Sequence, residues 1–244
     1  MALMDSPHPP LTPELAEPAP VVPGHFLLVC QEGCRHFPED SEIEPWHQVP
    51  RGDGYSDRVL WPLFHELQET QQVEPEQWLA YRRRNRRFAA GLAAELSPGE
   101  MVVVRDHRLL TLAAELDRLH TGVRCALLLP IPFPSPDLFC RLPQRRELMD
   151  AFLQHDLIGF ENERDLLNFR ACVKAVHPDV PSRPRGSHVR LFPRGRSVDT
   201  CVFPVQIDVD AVAAQAARPQ VEQAVRSLRS CLGERSLLVG ADPL

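Results

Sequence analysis

No apolar run in this 244-residue chain approaches the length that crosses a bilayer, so no stretch reads as a membrane span. Positive charge is not in excess either. Twenty-seven Lys and Arg stand against 33 Asp and Glu, and a formal net charge of −6 argues against general nucleic-acid binding. The N-terminus lacks a basic start followed by an apolar core, so no secretory signal is expected and a cytoplasmic location is. Glycine numbers only 12, and it is missing from the patterns that cradle phosphate. There is no dinucleotide fingerprint and no Gly-Lys-Ser/Thr loop, and no internal repeat. The seven cysteines (Cys30, Cys34, Cys125, Cys140, Cys172, Cys201 and Cys231) are odd in number and scattered. Cys30 and Cys34 have no second Cys or His pair to complete a zinc set. Reduced, mostly buried thiols, no metal and no cofactor are the expectation.

Proline is abundant. Pro7, Pro9, Pro10, Pro13, Pro18, Pro20 and Pro23 fall in a stretch with little to bury, so residues 1–23 are expected to be a disordered or extended tail. A second group sits in Arg124 to Cys140, around which the chain is organised. Cys125 to Leu129 is too short and apolar for a helix of its own and reads as a strand buried on both faces. Pro130, Pro132, Pro134 and Pro136 end it in a rigid, extended turn, with Ser135 as N-cap and Pro136 as first residue of a helix. Ligands of open α/β sheets sit outside the carboxyl ends of strands, so this turn lines a ligand site or is simply a stiff connection.

Along the chain, His25 to Cys30 reads as a first strand and residues 31–58 as loop. Trp61 to Leu67 begins a helix or a buried turn. Trp78, Tyr81, Asn85, Phe88, Ala89 and Leu92 share one face of a helix over Glu76 to Leu96, ended by Pro98-Gly99. Arg82, Arg83, Arg84, Arg86 and Arg87 wrap round that helix as a solvated face, with an anion site as second reading. Met101 to Val104 is a strand, Leu109 to Leu119 a helix, and Ser135 to Leu153 helical with a break near Pro143. Asp156 to Phe160 is a strand, Glu163 to Val176 a helix and Pro178 to Gly186 a loop. Val189 to Phe192 and Ser197 to Phe203 form a hairpin about Pro193-Arg194-Gly195. Helices over Val209 to Ala217, starting at Asp208, and Pro219 to Leu232 precede a last strand at Ser236 to Val239. Strands alternating with helices imply an α/β fold with a mostly parallel sheet. Asp106, Pro130 to Pro136 and Gly159 to Glu161 each follow a strand and should gather at one edge of that sheet.

Gly54 to His65, GYSDRVLWPLFH, resembles the Gly-Phe-Ser-Asn…Leu-Trp-Pro-Leu-Phe-His block of trehalose-6-phosphate synthases, glycosyltransferase family 20. Further blocks follow in the family's order. They are Trp78, Tyr81, Asn85, Phe88 and Ala89; Val102 to Leu109; Ile131 to Phe139; Gly159-Phe160 through Asp165, Asn168-Phe169 and Cys172; and Phe203-Pro204 with Ile207-Asp208. The likeness runs over roughly residues 25–242. It implies a Rossmann-like domain, one half of a two-domain GT-B fold. The family transfers glucose from UDP-glucose to glucose 6-phosphate with retention of configuration, and its acceptor is held mainly by the N-terminal domain. Residues 24–244 resemble that acceptor-side domain alone, without the nucleotide-sugar domain, so a partner chain supplying it is one possibility the likeness raises.

The departures are chemical. The family's Ser-Asn-Arg after the first strand reads Cys30-Gln31-Glu32 here, and the glycine-rich segment that follows is missing. In His-Asp-Tyr-His only Asp106 survives, between Arg105 and His107-Arg108. The histidine before Ile-Pro-Phe-Pro is Pro130, and that of Gly-Phe-His is Glu161. Transfer between two anionic substrates needs cations and donors, and these changes remove them. By resemblance, Asp106 and Trp78 are the substrate-binding candidates. Asp106 is alternatively a helix N-cap and Trp78 a cleft wall. Arg105 and Arg108 either contact phosphate or are solvated, and no residue stands out as catalytic. The expectation is a divergent half-length relative that is inactive alone, with an in-trans transferase half or a regulatory binding module as alternatives.

Overall fold

The computed structural model describes residues 26–30, 33–37, 54–67, 73–185, 188–204, 207–232 and 235, the first two stretches by backbone alone. Two units divide at Pro204 and Val205. The proposed tail, Glu32 and the expected strand at Ser236 to Val239 lie outside the described residues.

The first unit is built on an eight-stranded sheet in the order β2-β1-β3-β4-β5-β8-β7-β6. Its strands are β1 (Phe26–Cys30), β2 (Gly33–Phe37), β3 (Met101–Val104), β4 (Arg124–Leu129), β5 (Leu157–Phe160), β6 (Ser182–Arg185), β7 (His188–Leu191) and β8 (Val198–Val202). β1, β3, β4, β5 and β8 run parallel, while β2 and the β6–β7 pair add antiparallel edges. β4 is buried from Cys125 to Leu127, as a strand covered on both faces should be. Around the sheet lie α1 (Trp61–Phe64), α2 (Pro75–Ala93), α3 (Leu112–Arg118), α4 (Pro136–Phe139), α5 (Arg145–Phe152) and α6 (Glu163–Val176). Pro75 opens α2 where a missing N–H costs nothing, and its buried side is Trp78, Tyr81, Asn85, Ala89 and Leu92. Asn162 caps α6 by accepting the Asp165 N–H at 3.0 Å and donating back to its carboxylate at 2.8 Å.

Phe133, in the proline-rich turn after β4, is the hub of the core. Its ring meets Phe64, Phe152, Phe160 and Phe169 edge-on and stacks on Phe139, at centroid distances of 5.3 to 5.8 Å. α6 holds the turn through Asn168 Nδ2, which donates to the Phe133 carbonyl at 2.9 Å. Gly159 in β5 is required by close packing, because a Cβ there would lie 2.5 Å from Phe203 and 2.6 Å from Leu128. Three buried thiols, Cys125, Cys172 and Cys201, are pushed up to about 12 by that burial, in keeping with inert core cysteines.

Three sequence readings need correction. Residues 31–58 are not all loop, since β2 pairs with β1 from Phe26↔Phe37 to Cys30↔Gly33 and a π-turn at Ser56–Leu60 leads into α1. Pro178 to Gly186 contains β6, whose four residues are all exposed. β6 is held by backbone pairing rather than an apolar face, and neither GCRHF nor SRPR alternates apolar residues, so no periodicity announces the two strands. The single helix over Leu109 to Leu119 is a 3₁₀ turn at His107–Leu109 followed by α3. Ser135 stands at the N-cap of α4 as expected, but its hydroxyl makes no capping bond.

The second unit holds α7 (Val209–Ala216) and α8 (Pro219–Leu232), neither of which buries a residue. Asp208 caps α7, accepting the Ala211 N–H at 2.9 Å. No helix among the described residues is long and apolar enough to cross a membrane.

Candidate functional site

β3, β4 and β5 are neighbours and parallel, with Val104 level with Leu127 and Leu129 with Phe160. Asp106, the Pro130 to Pro136 turn and Glu161 therefore leave the same end of the sheet, where ligands of such sheets bind. The chemistry there is set by the turn after β3. Asp106 has an extended backbone and caps the 3₁₀ turn, taking the Arg108 N–H on Oδ1 at 2.8 Å. The same carboxylate receives the Arg108 side chain. Nε donates to Oδ1 at 3.0 Å and to Oδ2 at 3.1 Å, and Nη2 donates to Oδ2 at 2.7 Å. This is a forked, charge-assisted pair. The Asp106 side chain is 0% exposed and that of Arg108 7%.

His107 between them is buried, and that burial lowers its pKa; Asp106 pulls the other way and Arg108 adds to the lowering. Its Nδ1 is 3.9 Å from Asp106 Oδ1. Its ring faces Trp61 at 5.5 Å, and Trp61 lies 3.9 Å from the His65 ring.

One face of α2 bolts this turn in place. Tyr81 Oη donates to the His107 carbonyl and accepts the Leu110 N–H, both at 3.0 Å. Asn85 Nδ2 donates to the Arg108 carbonyl at 2.9 Å, and Arg84 Nη2 donates to Ser56 Oγ at 3.0 Å. The arginine cluster is thus split. Arg83 and Arg87 are exposed as expected, Arg86 is exposed but its Nε donates to Glu115 Oε2 at 3.4 Å, and Arg82 and Arg84 are half-buried and engaged.

Trp78 lies one turn before Tyr81, stacks on it at 5.6 Å and meets Tyr55 at 5.1 Å. It is buried, and its Nε1 donates to Glu147 Oε2 at 3.2 Å, an atom that also takes Arg82 Nη1 at 3.0 Å. Burial and then Glu147 push the Tyr55 hydroxyl well up, so it stays protonated and points at Gln144 Oε1 at 3.4 Å.

The structure therefore brings Asp106 and Arg108 together, joins Trp78 to them through Tyr81, and leaves Arg105 exposed and outside the cluster. Glu147 and Arg84 were not singled out from sequence. Glu147 sits on α5, far from any recognised block, and Arg84 was hidden in a run of like residues. Among the described residues no group of three His, Cys, Asp or Glu is placed to hold a metal.

A mainly parallel sheet with its polar turns gathered past the carboxyl ends of adjacent strands defines a Rossmann-like α/β domain. The chain belongs to glycosyltransferase family 20, whose model matches residues 43–244. It is 30% identical over 205 residues to the trehalose-6-phosphate synthase of Sinorhizobium fredii, covering 84% of this chain and 42% of that protein. It is 29% identical over 196 residues to the UDP-forming α,α-trehalose-phosphate synthase of Candida albicans, covering 79% of this chain and 40% of that one. Among solved structures, the Burkholderia xenovorans α,α-trehalose-phosphate synthase in complex with glucose-6-phosphate superposes with a TM-score of 0.68 at 26% identity, over 75% of this chain and 40% of that one. A trehalose-6-phosphate structure from E. coli bound with UDP-2-fluoro glucose gives 0.66 at 28%, over 76% and 42%. The fold is thus part of the GT-B fold of those enzymes. The chain spans about 40% of the length of the curated relatives it matches.

Proposed function

We propose that this chain is the acceptor-side half of a family 20 glycosyltransferase fold over residues 24–244, and that by itself it does not transfer glucose from UDP-glucose to glucose 6-phosphate. The observation that carries this reading is the sealed Asp106. A carboxylate that orients a sugar hydroxyl or steadies developing charge must present a lone pair to the cleft. Both Asp106 oxygens are instead occupied by Arg108, and the side chain has no exposed surface. Asp106 acts as cap and counter-ion, Arg108 as its partner, and Trp78 as cleft wall with its N–H given to Glu147. Pro130 offers no donor, and Glu161 adds negative charge where a phosphate would approach. Arg105, exposed beside this turn, is a cation available to meet a sugar phosphate, so weak glucose 6-phosphate binding without turnover is the expected behaviour of a cytoplasmic pseudoenzyme.

A second reading has support from the α7–α8 unit. Val209, Val212 and Leu228 are 71%, 56% and 55% exposed, which leaves apolar faces for a nucleotide-sugar domain to cover. In that case a separate polypeptide completes an active pair. The test is to incubate the purified chain with UDP-glucose and glucose 6-phosphate and follow UDP and disaccharide phosphate. No product is expected. Turnover within about tenfold of the Sinorhizobium relative overturns the reading. Activity that appears only on adding that relative's second domain favours the in-trans form.

A further inference from the structure

The β6–β7 edge carries charge that sugar transfer does not explain. Arg183 stands opposite Arg190 and Arg185 opposite His188, and Asp199 on β8 stands opposite Arg190. Paired residues share a sheet face, so these five side chains lie on one side. Leu191 and Val198, on the other side, belong to the hydrophobic core. Like charges directly opposite destabilise a sheet. Arg183 against Arg190 is such a pair, and β6 is exposed at all four residues, so it buries little in return.

The cations are positioned rather than loose. Asp199 accepts Arg190 Nε and Nη2 at 2.6 Å each, and those bonds hold its carboxyl below the ordinary range. Burial opposes that shift, and the charges of Arg190, Arg185 and His188 add to it. Arg183 lies 5.6 Å over the Phe192 ring, which steadies its guanidinium. Arg183 and Arg185 are exposed and have no ion pair among the described residues.

This edge is closed to strand addition. Phe192 N–H donates to the Pro181 carbonyl at 2.9 Å, which sets the alternation of bonded pairs. Pro184, opposite Val189, then turns its nitrogen outward, and it has no hydrogen to offer. A ligand here is held by side chains. Arg183 with Arg190 makes one row and Arg185 with His188 a second. Members of a row stand about 5.5 Å apart at Cα, and the rows are roughly 6.8 Å apart. Asp199 shows what one carboxylate achieves, since it fills a single fork. Two more guanidinium forks and an imidazole call for several oxygens and more than one negative charge, which phosphate supplies.

We propose that Arg183, Arg185, His188 and Arg190 form a site for a ligand carrying two or more neighbouring phosphate groups, one to each row. A soluble polyphosphate compound and a bisphosphorylated lipid headgroup share this chemistry. Binding is electrostatic and salt-sensitive.

Calorimetric titration of the full chain with tripolyphosphate tests this. Binding is expected in low salt and falls about tenfold or more in about 0.5 M salt. Inorganic phosphate, which reaches one row only, should bind at least about tenfold more weakly. R183Q/R185Q should weaken tripolyphosphate about tenfold or more, with an unchanged circular dichroism spectrum. R185Q, at an exposed position, gives the same reading if the double variant does not fold. Tripolyphosphate should raise the melting temperature of wild type and not that of the variant. R83Q/R87Q, which removes two exposed arginines on α2, should bind as wild type does. Co-sedimentation with phosphatidylcholine vesicles holding phosphatidylinositol bisphosphate, displaced by tripolyphosphate, assigns a lipid source; tripolyphosphate binding without vesicle binding assigns a soluble one. No tripolyphosphate binding in low salt, binding indifferent to R183Q/R185Q, equal loss in R83Q/R87Q, or a hexa-aspartate peptide that binds as tightly would each overturn the proposal.

Discussion

Replacing Arg108 by methionine keeps most of the side chain's volume and removes the cation that neutralises Asp106. The carboxylate it leaves behind has no exposed surface and has lost three of its four donor contacts, retaining the Arg108 backbone N–H. Removing one partner of a buried pair costs about 3–5 kcal/mol, because the remaining charge is stranded in low dielectric. For a domain of this size each kcal/mol lowers Tm by about 2–4 °C, so R108M should melt about 6–20 °C lower. The double variant D106L/R108M removes both charges and loses chiefly the cap, worth about 1 kcal/mol. It should therefore be more stable than R108M alone, with a coupling of about 2 kcal/mol or more. Urea unfolding followed by tryptophan fluorescence reads both. If R108M lies within about 1 kcal/mol of wild type, or the double variant is no better than R108M, then Asp106 is not sealed by Arg108 and the reasoning fails.

Three further outcomes are expected. Tyr81→Phe removes the hydroxyl shared by His107 and Leu110 and should cost about 1–3 kcal/mol in chemical denaturation; an unchanged midpoint would detach α2 from the turn. Gly159→Ala ordinarily suits a strand, but here its methyl meets Phe203 and Leu128, so a loss of about 1 kcal/mol is expected and a more stable variant would contradict the packing. His155 is held at about 4, against an ordinary 6.5, chiefly by burial. The unfolded chain therefore takes up this proton first as pH falls. Its stabilisation is complete above pH 6.5 and lost towards pH 4, on the order of 3 kcal/mol. Urea midpoints between pH 7 and pH 4.5 should fall less for His155→Phe than for wild type, and parallel curves would rule this out.

Where elements bury side chains, the sequence could be read almost to the residue. β3, β4 and α6 carry unbroken or periodic apolar positions, and their expected bounds match the observed ones. β2 and β6 gave no such signal. GCRHF and SRPR alternate nothing apolar, and their strand geometry comes from neighbours that supply hydrogen-bond ladders. The gathering of Asp106, the proline turn and Glu161 followed from topology, because parallel neighbours must release their chains on one side. What sequence left open was the direction of side chains. Asp106 was equally a cleft residue or a cap, and Arg108 a phosphate contact or a solvated cation, until the 3₁₀ turn folded one onto the other. The proline turn was legible as rigid, but its rigidity serves Phe133, whose five ring contacts make it a keystone of packing.

The most direct test is a crystal structure of this chain soaked to saturation with glucose 6-phosphate. The expected result keeps Arg108 forked on Asp106, with no sugar oxygen in hydrogen-bond reach of that carboxylate and any bound phosphate beside Arg105. A sugar hydroxyl on Asp106, with Arg108 swung away to hold the phosphate, would contradict the claim that this site is closed to transfer.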